Sequence, residues 1–311
     1  VRIVFFGTPE LAVPSLEALA DAHEVVALVC RPDKPRDRRK KLIPPPTKMW
    51  AIERGMEVVQ PTKLNDGSFE VWLKEQNPDL CALVAYGRIL KQPILDVPKH
   101  GFLNMHPSRL PKYRGPSPIQ SAILAGETET AISIMRLDAS MDTGDILLQE
   151  PAAIDPGDTT ATLSVRLAGL GAKLMVEGAA RVESGQASFR PQGESGATVT
   201  RTFEKSDGRI HWDTPARDIV NLVRASDPWP VAQTLYDGEV FRVHHAQALG
   251  ETHDAAPGTI FCVEKDSIVV AAAGGAVSID RIQAPGKRAI PVSDFLRGRS
   301  VKPGDRFEDF S

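Results

Sequence analysis

The sequence predicts an α/β domain on a buried, parallel-type sheet, followed by a smaller all-β domain. Three observations carry this. Up to about residue 188, strand-like apolar runs alternate with amphipathic helical stretches. Residues 79–87 are almost continuously apolar, as in a strand that a parallel sheet buries on both faces. Beyond residue 207 the pattern changes to short strands separated by turns.

Taken in order, residues 1–6 form a β-like run. Gly7-Thr-Pro-Glu10 makes a turn, and residues 13–19 are amphipathic with Pro14 near the first helical turn, which opens a βαβ unit. The turn lacks the G-x-G-x-x-G spacing and no Walker pattern occurs, so nucleotide binding is not expected there. It reads equally as a simple tight turn or as part of a site. Residues 24–30 are a second buried strand.

Directly after them stands Arg31-Pro-Asp-Lys-Pro-Arg-Asp-Arg-Arg-Lys-Lys41, a basic arm stiffened by prolines. It reads either as a solvated charged loop or as an arm for a phosphate backbone. Its place after a strand puts it on the sheet's carboxyl edge, where ligands bind in such folds.

A short helix over 47–54 and a strand over 56–60 come next. Residues 65–76 form a helix with Phe69, Trp72 and Leu73 on one face, ahead of the strand at 79–87. A strand over 101–106, a helix over 118–125 stopped by Gly126, and a strand over 131–137 follow. Leu163, Leu167, Leu170 and Leu174 make the core stripe of a long helix over 158–185.

Residues 190–207, rich in Gly, Ser, Thr and charge, read as an exposed linker. Thr214-Pro215 caps a helix carrying Ile219, Val220, Leu222 and Val223, which Asp227-Pro-Trp-Pro230 ends. Strands over 239–248, 258–264, 267–273 and 276–283 then make a small β-barrel, with Gly274-Gly275 as a hairpin turn. The expected division is a domain over 1–188, a linker over 189–207 and a second domain over 208–311.

The 311 residues suffice for two domains. Their 42% hydrophobic and 25% charged content is that of an ordinary globular protein. A net charge of −3 argues against non-specific coating of nucleic acid by the whole surface, but leaves room for a local basic patch. No apolar run approaches a membrane span, and the first apolar segment is too short for a signal peptide. Cys30, Cys81 and Cys262 fit no metal motif and are expected to be reduced, structural thiols in a cytosol-like compartment.

The chemistry concentrates in Gly101-Phe-Leu-Asn104-Met-His106-Pro-Ser-Arg-Leu-Pro-Lys-Tyr-Arg-Gly115-Pro-Ser-Pro118. Side chains alternate along a strand, so Asn104 and His106 share one face. A carboxamide and an imidazole side by side can both donate to a developing oxyanion. Taken alone, an Asn-x-His pair is also what two ordinary polar residues look like. A second stretch, Asp138-Ala-Ser-Met-Asp142-Thr-Gly-Asp145, follows the strand over 131–137 and offers a carboxylate to orient His106 or move a proton. Such residues are expected to converge beyond the carboxyl ends of adjacent strands.

Together, Asn104-x-His106-Pro-Ser-x-Leu-Pro-x-Tyr-Arg-Gly and Asp142-Thr-Gly-Asp resemble the 10-formyltetrahydrofolate-dependent formyltransferases. The resemblance implies a Rossmann-like domain followed by an OB-like barrel. It implies Asn104, His106 and Asp142 as the catalytic trio and 10-formyltetrahydrofolate as co-substrate, with no metal. Gly87, Arg88, Ile89 and Leu90, with Ser108, Arg109, Leu110 and Pro111, are the implied folate-binding residues.

The arm resembles the Pro-Asp-Arg-Pro-x-Gly-Arg-Gly-Lys-Lys-Leu insertion of the family's transfer-RNA branch, which wedges into the acceptor stem. Arg38, Lys40 and Lys41 match it, Lys34 replaces an Arg, and Asp37 and Arg39 stand where glycines are usual. Ile210-x-Trp212-Asp213, Trp229-Pro230, Pro257-Gly-Thr259 and Gln283-x-Pro-Gly-Lys287 resemble landmarks of the second domain.

The implied acceptor is initiator methionyl-tRNA, and the implied protein a bacterial-type cytoplasmic monomer without membrane contact, an organelle being left open. Two rival readings stand beside it. One is another folate enzyme, either an amino-sugar formyltransferase or a formyltetrahydrofolate hydrolase. The other is a non-catalytic RNA-binding protein.

Overall fold

The computed structural model describes residues 1–35, 42–250 and 253–310. In chain order the elements begin β1 (Arg2–Gly7), α1 (Val13–Ala22), β2 (Glu24–Val29), β3 (Lys34–Pro35), β4 (Leu42–Ile43), α2 (Pro46–Glu53) and β5 (Glu57–Val59). Then come α3 (Ser68–Glu75), β6 (Leu80–Val84), α4 (Gln92–Leu95), β7 (Phe102–His106), α5 (Pro118–Leu124), β8 (Glu129–Arg136), β9 (Ile146–Ala153) and α6 (Thr160–Glu183). The rest are α7 (Ala216–Ala225), β10 (Ala232–Tyr236), β11 (Glu239–Leu249), β12 (Ile260–Val263), β13 (Ile268–Ala272), β14 (Gly275–Gln283), β15 (Ile290–Pro291) and α8 (Val292–Gly298).

Two compact units result. One comprises Val1–Pro118, Glu129–Ala153 and Ser164–Arg201, the other Ile119–Thr128, Ile154–Leu163 and Thr202–Ser311. The units interleave along the chain, whereas the sequence suggested contiguous domains. Residues 154–163 join the second unit because Thr160 Oγ1 donates to the Ala225 carbonyl at 2.8 Å and Arg224 donates to the Asp158 carbonyl at 3.2 Å. Residues 190–201, expected to be linker, belong to the first unit. Arg190 and Ile146 exchange both backbone bonds, and the Thr200 N–H donates to the Arg114 carbonyl at 2.7 Å. Backbone pairing of this kind needs no apolar periodicity, so the composition gave no sign of it.

The first unit holds a seven-stranded sheet in the order β5-β2-β1-β6-β7-β8-β9. From β5 to β7 every pairing is parallel, and β7–β8 and β8–β9 are antiparallel. β6 and β7 are buried along their whole length, as the near-continuous apolar runs require. β9 was not evident in the sequence. It is an edge strand whose Gln149, Glu150 and Pro151 hide the strand signal, and an edge tolerates proline. α6 lies close over the sheet. A Cβ on Gly171 would stand 2.9 Å from the Met105 methyl, and one on Gly178 would press on Ile134, Leu103 and Leu147. Met105 therefore faces the helix, and Asn104 and His106 face the opposite side.

In the second unit β10-β11-β14-β13-β12 form an antiparallel sheet, with β15 added to β14. Its outer strands are tied by one segment near the C-terminus. Leu235 and Glu308 exchange backbone bonds at 3.0 and 2.8 Å, while Ile260 donates to the Asp305 carbonyl and accepts from Gly304. That segment closes the sheet and removes its free edges. Trp212 and Phe307 stack inside it, ring centroids 5.8 Å apart, and Tyr236 and Phe241 fill the remainder.

Candidate active site

The parallel strands bring their carboxyl ends to one edge. Gly7-Thr8 follows β1 there, Arg31 follows β2, Gly87 follows β6 and His106 ends β7. The order reverses between β1 and β6, the switch point at which open α/β sheets bind ligands. The Gly7-Thr8 turn ties three of these ends together. Thr8 Oγ1 donates to the Tyr86 carbonyl at 3.3 Å and accepts from the Arg31 N–H at 3.2 Å. Thr47 Oγ1 donates to the Gly7 carbonyl at 3.0 Å.

Asn104 and His106 lie in register with Met135 and Ser133 of β8. Asn104 is 5% exposed, and its carboxamide has no hydrogen-bond partner among the described residues. A buried amide in that state is uncommon and marks a place where a ligand completes the bonding. His106 Nε2 donates to the Tyr113 carbonyl at 2.9 Å. Its Nδ1 therefore faces Asp142, whose Oδ2 lies 3.6 Å away.

Asp142 reaches this position differently from the expectation. β8 runs antiparallel to β7, so its carboxyl end lies beside the amino end of β7, with Leu103 opposite Arg136. The loop from Asp138 to Asp145 must fold back to bring Asp142 to His106. Several bonds hold it. Gln192 Nε2 donates to the Asp142 and Gly144 carbonyls at 2.9 and 2.7 Å. Asp138 accepts from the Ser140 N–H and the Thr143 hydroxyl. Gly144 passes so near the Arg136 carbonyl that a Cβ would collide with it. Asp142 itself has φ +54°, a conformation that Asp accepts more readily than most residues.

On the far side, Asp142 Oδ2 accepts from the Gly115 N–H at 2.8 Å. Gly115 has φ +102°, and a Cβ there would stand 2.6 Å from the Thr200 carbonyl. Residues 190–201 thus brace the site. Arg114, buried, donates to Gln192 at 3.2 Å, and Thr198 Oγ1 accepts from the Tyr113 N–H. Gln192 was missed in the sequence, because its role is carried by two backbone contacts that no motif or periodicity marks.

The implied folate residues are distributed as follows. Gly87 has φ +74° and begins the turn after β6. Arg88 donates to the Pro61 and Thr62 carbonyls at 2.7 and 2.9 Å. Ile89 is 76% exposed, whereas Leu90 is buried in the core with Phe6 and Phe102. Ser108 is buried and donates to the Lys112 carbonyl at 2.7 Å. Arg109 pairs at the surface with Glu129 at 2.7 Å, and Leu110 packs on Met135 and Ile146. Leu110 and Pro111 continue the chain from β7 toward Tyr113.

Arg38, Lys40 and Lys41 lie outside the described residues. The root of their arm is described. β3 pairs with β4, and Asp33 accepts from Lys48 Nζ at 2.9 Å and from Gln60 Nε2 at 2.8 Å. The Lys48 hydrogen bond, then that of Gln60, holds the Asp33 carboxyl below its ordinary pKa. Among the described residues no group of three or more His, Cys, Asp or Glu is placed to hold a metal, and no helix is long and apolar enough to cross a membrane.

Residues 1–178 match a family profile described as Formyl transferase, and residues 202–300 one described as Formyl transferase, C-terminal domain. The methionyl-tRNA formyltransferase of Acetivibrio thermocellus is 43% identical over 98% of this chain and 99% of its own length. That of Myxococcus xanthus is 42% identical over 98% and 97%. The chain belongs to the methionyl-tRNA formyltransferase family. Solved structures agree on the fold. A Helicobacter canadensis N-formyltransferase, in complex with folinic acid and dTDP-3-aminofucose, superposes with a TM-score of 0.67 at 19% identity, covering 90% of this chain and 98% of that one. A methionyl-tRNA formyltransferase from Clostridium thermocellum gives 0.57 at 18% identity, with the same coverage of each chain. At such identities these two speak for the fold alone.

Proposed function

We propose that this member of the family transfers the formyl group of 10-formyltetrahydrofolate to the α-amino group of methionyl-tRNA, at the site formed by Asn104, His106 and Asp142. The acceptor follows from relatives above 40% identity that span nearly the whole chain. The observation that carries the chemistry is a buried carboxamide without a partner beside an imidazole whose open nitrogen faces a carboxylate.

The neutral amine attacks the formyl carbon. A new N–C bond forms, and the carbonyl oxygen takes up negative charge. The Asn104 amide donates to that oxygen, fixed before the reaction in a site that excludes most water. Nε2 of His106 is occupied by the Tyr113 carbonyl, so the ring acts through Nδ1. Asp142 sets that nitrogen's polarity and carries the proton lost by the amine toward N10 of the folate, whose bond to the formyl carbon then breaks. One proton leaves the amine and one reaches N10, so no nucleophilic side chain or metal is needed. Gly87 and the turn after β6, with residues 108–111, would hold the folate, and Arg38, Lys40 and Lys41 would grip the acceptor stem.

Incubation with formyl-labelled 10-formyltetrahydrofolate and candidate acceptors tests this reading. Label should pass to methionyl-tRNA, and His106→Ala should slow transfer by roughly 10²–10⁴-fold while the fold is retained. Label passing instead to an amino sugar or to water as formate overturns the acceptor. Near-normal turnover of the variant overturns the mechanism.

A further inference from the structure

The second unit carries a cavity of about 620 Å³ on the outer side of its sheet. Four of its lining residues stand in one row. Arg209 bridges to Gln233, Gln233 pairs with Arg242 on β11, and Arg242 pairs with Gln283 on β14. Register partners on neighbouring strands point to the same face. The alternating neighbours Ala232, Thr234, Phe241, Val243 and Ile282 are buried on the core side, so the row looks outward. The 205–208 turn and residues 284–286 complete the lining with Phe310, over whose ring the Arg209 guanidinium carbon sits 5.0 Å from the centroid.

Two features set this cavity apart from an ordinary surface groove. The first is unneutralised charge. Lys205, Arg209 and Arg242 line it, and Arg242 has no hydrogen-bond or ion-pair partner among the described residues. The lining carboxylate, Glu204, is engaged as the cap of the 205–208 turn. The second is Gln233, 5% exposed, whose Nε2 is sealed from water without a hydrogen-bond partner. A buried donor in that state is costly unless a ligand supplies an acceptor. Gln283, by contrast, is pinned by His244 at 2.9 Å and by the Lys287 carbonyl at 2.6 Å, and forms a fixed wall.

We infer that this cavity holds one nucleotide of the RNA acceptor, its phosphate between Arg209 and Arg242 and its base edge against the Gln233 carboxamide. Guanidinium groups match phosphate oxygens. A carboxamide, presenting one donor and one acceptor side by side, matches a base edge. A free anion would use the arginines and leave Gln233 unanswered. The inference rests on the reading of the acceptor as transfer RNA.

Gln233→Leu changes no charge, and Arg242→Gln removes one. Each should raise the KM for methionyl-tRNA about 5- to 10-fold, the discrimination of a good base or phosphate contact. The kcat and the folate KM should stay at wild-type values. Arg242→Gln should also lower the slope of log affinity against log salt by about one, and Gln233→Leu should leave it unchanged. Arg281→Gln, an exposed cation on the same sheet, is the charge-matched control and should have little effect.

If Arg242→Gln and Arg281→Gln behave alike and Gln233→Leu is silent, the cavity is only part of a diffuse basic surface and the inference falls. Filter retention of uncharged transfer RNA by wild type and variants separates the two readings. Retention sensitive to Gln233, without formylation of methionyl-tRNA, overturns the acceptor reading alone. Retention indifferent to Gln233 and Arg242 overturns the nucleotide site.

Discussion

Asp142→Asn removes one charge from the site and keeps its shape. In the structure Asp142 Oδ2 lies 3.6 Å from His106 Nδ1 and accepts the Gly115 N–H at 2.8 Å. A carboxamide oxygen can keep the Gly115 bond, so the loop from Asp138 to Asp145 should hold its conformation. What is lost is attraction to positive charge developing on the imidazole. At 3.6 Å and an effective dielectric of ~20 this is about 4–5 kcal/mol. The Asp142 side chain is 17% exposed, and solvent screening trims the effect to about 3 kcal/mol. That corresponds to a kcat lower by roughly 10²–10³-fold. The assay is steady-state formylation of methionyl-tRNA with both substrates varied, beside a thermal melt to show an unchanged fold. Both KM values should stay within about threefold, because the lost interaction grows only toward the transition state. A kcat close to wild type would refute the proton-relay role. A change confined to the folate KM would make Asp142 a pterin ligand instead.

Gln192→Leu should lower kcat about tenfold, since it frees the Asp142 and Gly144 carbonyls that hold the catalytic loop, and should leave the melting temperature nearly unchanged. Gly115→Ala should destabilise the fold by more than about 2 kcal/mol in a denaturant titration, because of its φ of +102° and the Thr200 carbonyl 2.6 Å from the new Cβ. Arg38→Ala should weaken transfer RNA without touching folate and reduce the salt slope of binding by about one; wild-type kinetics at two salt concentrations would count against the arm. Burial pushes the Cys30 thiol from its ordinary 9.0 up to about 11. The folded chain then keeps a proton that the unfolded chain releases, so this stability is present below pH 9 and lost between pH 9 and about 11, a slope that Cys30→Ala should remove. At neutral pH iodoacetamide should reach Cys262 first, Cys30 and Cys81 being buried.

Local pattern determined much of this protein. The apolar runs of β1, β2, β6 and β7 marked a buried parallel sheet, because strands covered on both faces must be apolar throughout. Alternation along a strand was enough to place Asn104 and His106 on one face. The spacing of the two motifs also named the family. Tertiary structure alone decided how Asp142 reaches His106. β8 turned out antiparallel, and only a folded-back loop held by Gln192 closes the distance. It also decided that residues 190–201 brace the site and that the segment near the C-terminus ties β10 to β12. These features are long-range pairings between backbone groups. Every residue except proline carries the same donor and acceptor there, so the side chains that sequence patterns are made of leave no trace of which partners meet.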